Sequence, residues 1–234
     1  MDINLHFTET GSGEPIILLH GNGEDSSYFA PQIECFSKMF KVLALDTRGH
    51  GKSPRGTAPF TLEQFVEDLH TFMDQRDIAS AHILGFSDGA NIAILFALAH
   101  PNRVRSLVLN GGNLFPEGLT EEVRLEDTVA FEAAQQSGDT HTLELLRLMM
   151  DEPHIAPSSL AALHIPTLVV AGTHDMILES HTRLIAESIP NAQLAFLEGS
   201  HFVSSENPEA FNRIVTDFWQ ANRKGNATAP LEND

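Results

Sequence analysis

Cysteine is nearly absent from this chain. Its 234 residues include one, Cys35, so no internal disulfide can form, and the composition fits a reducing compartment. Cys35 lies among Ile33, Phe36 and Met39 and reads as a small core residue rather than a nucleophile. Positive charge is scarce as well. Against 32 Asp and Glu stand 14 Lys and Arg, a formal net charge of −18. Nucleic acid and anionic membrane surfaces would repel such a chain, and the expected partner is a small molecule. The longest apolar run, residues 92–99, is far too short to span a bilayer. Met1-Asp2-Ile3-Asn4-Leu5-His6 carries no basic region and no apolar core. No secretory signal is therefore expected, and the expected location is cytoplasmic. There is no internal repeat and no linker long enough to divide the chain, so residues 1–234 are expected to form a single domain. Nothing in the sequence sets an oligomeric state.

What is present is an alternation of short apolar runs with helical patterns. Residues 3–7 alternate apolar and polar, as an edge strand with one wet face would, and Gly11-Ser12-Gly13 turns the chain. Residues 15–20, 41–46, 83–84, 104–110, 166–172 and 192–197 are nearly continuous apolar runs, the mark of strands covered on both faces. Between them lie helical patterns at 30–39, 61–77, 90–99 and 178–188. Thr61 and Gln64 form a capping box. A last helix is capped by Asn207 and runs from Pro208 to about residue 222. The polar tail 225–234 is expected to fray, and its Asn226-Ala227-Thr228 sequon is read as accidental. The series predicts an α/β fold, a mostly parallel, doubly wound sheet with helices on both faces. The alternation breaks at about 113–163, where two helical patterns, 121–137 and 140–150, follow one another without a strand. An insertion there is a natural short cap over a site at the strand ends. The competing reading is an enlarged crossover that only packs on the sheet.

The stretch that organises the chain is Gly85-Phe86-Ser87-Asp88-Gly89. An apolar strand precedes it and a helix rich in Ala and Leu follows. Ser87 therefore sits on a sharp strand-to-helix turn, where flanking glycines let strand and helix cross closely. The helix N-terminus lies beneath the hydroxyl, and the Asp88 amide points where an oxyanion would form. A serine hydroxyl needs a base, and the base needs a carboxylate to orient it. Asp175 follows the 166–172 strand and His201 follows the last one, in the chain order this elbow requires. The rival histidines fit less well. His174 adjoins Asp175 on one loop, His181 lies on a helix, His50 and Arg48 tie down the 48–53 loop, and His20 braces a glycine-rich turn. The second oxyanion donor is expected from His20-Gly21-Asn22, with the Asn22 amide preferred. No cofactor and no metal is called for.

Together His20-Gly21-Asn22-Gly23, the 46–53 loop, Gly85-Phe86-Ser87-Asp88-Gly89, Gly172-Thr173-His174-Asp175 and Gly199-Ser200-His201-Phe202 resemble the α/β-hydrolase superfamily. That resemblance implies a mostly parallel eight-stranded sheet with a cap. Two departures stand out. The N-terminus holds one strand where two are usual, so about seven strands are expected. The cap is short, so the pocket should be small and open. Ser87 disfavours the branches with an aspartate nucleophile, such as dehalogenases and epoxide hydrolases. The expected activity is hydrolysis of a small carboxylic ester or lactone through an acyl-enzyme, in carboxylesterase fashion. Alternatives are an amidase, an aminopeptidase or a carbon–carbon bond hydrolase on the same triad. A different class is a non-catalytic small-molecule sensor of the same fold.

Overall fold

A computed structural model describes residues 2–226. Seven strands form one sheet: β1 (Phe7–Gly11), β2 (Pro15–Leu19), β3 (Lys41–Leu45), β4 (Ala81–Phe86), β5 (Val104–Asn110), β6 (Thr167–His174) and β7 (Gln193–Ser200). Their spatial order is β1-β3-β2-β4-β5-β6-β7. Only β1 runs antiparallel to its neighbour. Strand order reverses between β2 and β4, and a parallel open sheet leaves its crevice at such a point, outside the carboxyl ends.

Strands β2 to β6 are largely buried on both faces, while the edge strands β1 and β7 are not, and the alternating side chains of the inner strands feed two cores. Ile17, Leu19, Leu43, Leu45 and Ile83 pack against α2 (Leu62–Gln75), α3 (Asp88–Ala99) and α6 (Glu179–Ser188). Ile16, Leu18, Val42, Ala44 and Leu84 pack against α1 (Ala30–Phe36) and α8 (Pro208–Asn226) on the other side. This two-sided burial is why the strands read as continuous apolar runs rather than alternating ones. Between β5 and β6 stand α4 (Glu121–Ser137) and α5 (Thr140–Asp151), packed on each other above the strand ends. The short helix α7 (Val203–Glu206) follows β7.

Several sequence expectations shift. The edge strand is residues 7–11, not 3–7, so Gly11 belongs to the strand rather than to the turn. Ile3 and Leu5 are buried as their alternation implies, but the segment forms no ladder: one backbone bond, from the Asp46 amide to the His6 carbonyl (2.9 Å), and side-chain ties hold it. Asp2 pairs with Arg48 and accepts from the Thr57 amide. Periodicity reports burial, and here burial and strand pairing part company. The capping box is half made. Thr61 accepts from the Gln64 amide, but the Gln64 side chain turns to Asp68 (3.0 Å), a buried carboxylate already shared with Arg48. Asn207 does not cap with its side chain; its amide donates to the Glu198 carbonyl. The helix α1 is shorter than expected. Cys35 is half-buried against the second core rather than inside it. The final helix reaches Asn226, and the rest of the tail, with the end of the sequon, lies outside the described residues.

Candidate active site

The turn after β4 is as tight as its glycines imply. A Cβ on Gly85 would strike the Gly89 carbonyl, and one on Gly89 would strike the Leu19 carbonyl. Only glycine lets α3 leave the sheet so closely. Ser87 itself takes φ 53° and ψ −120°, a region that costs a non-glycine residue about 1–3 kcal/mol. The surrounding bonds hold it there: its amide donates to the Asn110 carbonyl (2.8 Å), and its own carbonyl accepts from Ala90 (2.8 Å) at the start of α3. The strain projects the hydroxyl out of the sheet.

That hydroxyl donates to His201 Nε2 at 3.0 Å, and His201 Nδ1 donates to Asp175 Oδ1 at 2.7 Å. The Asp175 carboxylate is fixed in turn by the Ile177 amide (2.9 Å) and the Gly172 amide (3.4 Å). With the Nδ1 proton facing a carboxylate, Nε2 is the lone pair left to face Ser87. Three residues 26 and 114 positions apart in sequence thus form one hydrogen-bonded chain. His201 is buried, with the rings of Phe86 and Phe202 against it.

The glycine-rich turn after β2 comes up beside Ser87; a Cβ on Gly21 would sit 3.1 Å from the Ser87 Cβ. His20 braces this turn. The Thr47 amide donates to its Nε2 (2.9 Å), so its Nδ1 carries the proton donated to the Gly21 carbonyl (2.7 Å). Burial pushes the His20 pKa down, which keeps the ring neutral for that double role. The other histidines are placed structurally. His50, its pKa lowered to about 4 by burial, faces Thr47 and the Arg48 carbonyl. His181 Nε2 accepts from the Leu114 amide, and His174 is exposed at the rim.

Two features escaped the sequence. First, the Asn22 side chain donates to Asp88 Oδ2 (2.9 Å) and to the Leu145 carbonyl in α5 (3.2 Å). One amide group thus joins the turn, the elbow helix and the cap. Asn22 is neutral, but it brings a carboxylate close behind it. Burial pushes the Asp88 carboxyl up, against the hydrogen bonds from Asn22 and Asn91 that favour its charge. Second, five acidic side chains, Glu24, Asp88, Glu126, Asp127 and Glu152, line the cavity of about 220 Å³ that opens above Ser87. Val123 of α4 and Met149 of α5 also line it.

The family model for the alpha/beta hydrolase fold matches residues 14–142. The chain belongs to that family. It is 30% identical to a 2-hydroxy-6-oxononadienedioate/2-hydroxy-6-oxononatrienedioate hydrolase of Cupriavidus pinatubonensis, over 93% of this chain and 91% of that one. It is 27% identical to RutD of Azorhizobium caulinodans, a protein named for carbamate hydrolysis, over 93% and 95%. Among solved structures it is similar to the enol-lactonase from Burkholderia xenovorans LB400, with a TM-score of 0.79 at 25% identity, covering 93% and 97% of the two chains. Family members are thus named for hydrolysis of several bond types on one architecture. Among the described residues, no helix is long and apolar enough to cross a membrane.

Proposed function

We propose that this hydrolase-family chain is a serine hydrolase that cleaves a small carboxylic ester or lactone through an acyl-enzyme. The observation that carries the reading is the chain from Ser87 through His201 to Asp175, at 3.0 and 2.7 Å, on the floor of a cavity. His201 Nε2 takes the Ser87 proton as Oγ attacks the carbonyl carbon, and Asp175 stabilises the imidazolium that forms. The oxyanion is received by the Asn22 and Asp88 amides, neither of which has a hydrogen-bond acceptor among the described residues. His201 then protonates the leaving oxygen. A water enters, gives its proton to Nε2 and releases the acid. The cavity is smaller than the roughly 300–1,000 Å³ of drug-sized sites, which favours a short substrate.

Carbamates and carbon–carbon bonds are the neighbouring reactions that relatives' names suggest. A dioate would bring two carboxylates into a cavity that no Lys or Arg lines among the described residues, so charge disfavours that substrate here. The test is a fluorophosphonate probe together with p-nitrophenyl esters, matched amides and a vinylogous diketone. Labelling is expected at Ser87 alone, with the esters turned over fastest. Labelling elsewhere, or ester hydrolysis undiminished in Ser87→Ala, rejects the reading. Strong ligand-induced melting shifts with negligible turnover would mark a sensor instead.

A further inference from the structure

Beyond the triad, the cavity walls share one sign of charge. Glu24 comes from the glycine-rich turn, Asp88 from the elbow helix, Glu126 and Asp127 from α4, and Glu152 from the end of α5. The only other titratable side chain on the wall is His201, and no Lys or Arg lines the cavity among the described residues. These acids are far apart in sequence and converge only in space. They do not make a site by themselves. The cavity and the reactive serine beneath it define the site, and the acids set the sign of its walls. We propose, building on the serine-hydrolase reading, that the cavity selects acyl substrates carrying a positive charge, such as a quaternary or protonated amine, with Asp127 and Glu152 of the cap as the carboxylates that meet it.

The state of these groups agrees. Burial pushes Glu24, Asp88, Asp127 and Glu152 all upward, and Glu126 adds like-charge repulsion at Asp127. Burial thus favours the neutral form of each acid, and a cation bound beside it would favour the charged form again. Some hydrogen bonds are already made: Glu152 accepts from the Leu62 amide (2.8 Å), Glu24 from the Gly21 amide (3.3 Å), and Asp88 from two asparagines. Asp127 has no hydrogen bond or ion pair among the described residues, and it lies half-buried on the cap side. Among the described residues no three His, Cys, Asp or Glu groups are placed to hold a metal ion. An anionic acyl group would meet the opposite, since like charges brought together in a desolvated cleft repel strongly.

The experiment uses matched pairs differing only in charge. One pair is acetylthiocholine and the thioacetate in which a tert-butyl group replaces trimethylammonium, which puts the charge on the leaving group. The other is the p-nitrophenyl ester of γ-trimethylammoniobutyric acid and its tert-butyl isostere, which puts the charge on the acyl side. The p-nitrophenyl hemiester of glutaric acid supplies the anion. In at least one pair, kcat/KM should favour the cation by about tenfold, the hemiester should be poorest, and added salt should shrink the gap. Asp127→Asn or Glu152→Gln should lower the cation-to-neutral ratio severalfold. Equal kcat/KM within both pairs overturns the proposal, as does a ratio that neither substitution changes. Calorimetric Kd values for the same compounds on Ser87→Ala keep the two readings apart. If the parent hydrolyses none of the esters, the serine-hydrolase reading fails, and the Kd ratio alone still upholds or overturns the charge selection.

Discussion

On the cavity floor, β4 buries every residue and α3 buries nine of its twelve. Directly above, α4 buries only Ala134 in seventeen residues, and its Leu125 and Val129 stand 60% and 66% exposed. The floor is fixed by contacts that cannot relax: glycines with no room for a Cβ, a serine held in a strained turn, and a histidine packed against aromatic rings. The cap is held by a few apolar anchors, Ala134 of α4 and Leu146 and Leu148 of α5, and by polar ties. Arg55 meets Glu144 with two bonds of 2.7 and 2.6 Å, Glu152 accepts from the Leu62 amide, and Asn22 reaches the Leu145 carbonyl. Rigid parts suit chemistry, which fails with small misplacements. Loosely tied parts suit selection among substrates. The two regions should therefore answer mutation in different ways.

The sharpest separation comes from the floor. Ser87→Ala removes the proposed nucleophile without adding bulk and keeps a Cβ at the same positive φ, so melting temperature should hold. The fall in kcat should be on the order of 10⁵–10⁶. Steady-state ester hydrolysis beside thermal unfolding checks this. A loss of only a few fold would mean that Ser87 is not the attacking group.

Next in size is Asp175→Asn. The amide can still accept from the Ile177 amide but can also present an NH₂ to His201, which turns the ring to the wrong tautomer. The expected loss in kcat is about 10⁴, with little change in stability. Asp88→Asn serves as the control, because its carboxylate is not bonded to His201. If the control were dead and Asp175→Asn active, the acid would belong to the elbow helix.

The cap should respond more gently. In Glu144→Gln the bond to Arg55 persists without its charge. Both partners are about a third exposed, so solvent screens the pair and the loss in stability should stay below about 1 kcal/mol. The visible effect should fall on KM, severalfold upward, with kcat nearly unchanged. Urea unfolding and substrate titration measure the two. An equal fall in kcat would show that the cap also positions the floor, through the Asn22 bridge between them.

The same contrast explains what could be read from residues alone. Gly85, Ser87 and Gly89 announce the elbow because local sterics dictate them, and Asp175 and His201 meet Ser87 because both follow strand ends on one side. The two-sided burial of the sheet makes its strands plain. The edge strand was displaced because alternation tracks burial, and Ile3 and Leu5 are buried by the Asp2–Arg48 tie without a ladder. The Asn22–Asp88 bond spans 66 positions, and the acidic wall gathers residues from 24 to 152. No local pattern marks such meetings; only the placement of the cap over the turn creates them.

The smallest expected effect lies where floor and cap meet, at Glu24. Burial raises its pKa from 4.5 to about 7, while the Gly21 amide bonded to it opposes the shift. A raised folded-state pKa means that the native chain keeps a proton which the unfolded chain releases. The associated stability is fully present below about pH 4.5 and is lost as pH rises through about 7. Glu24→Gln keeps an acceptor for the Gly21 amide but cannot titrate. The other raised acids titrate alike in parent and variant, so the difference in melting temperature isolates this one. The variant should gain on the parent by a few degrees as pH rises through that window, and the gap should level off above it. A difference that stays flat with pH would mean that Glu24 is well solvated. The turn proposed to carry an oxyanion amide would then belong with the loosely tied cap, and substitutions there should act on KM rather than on kcat.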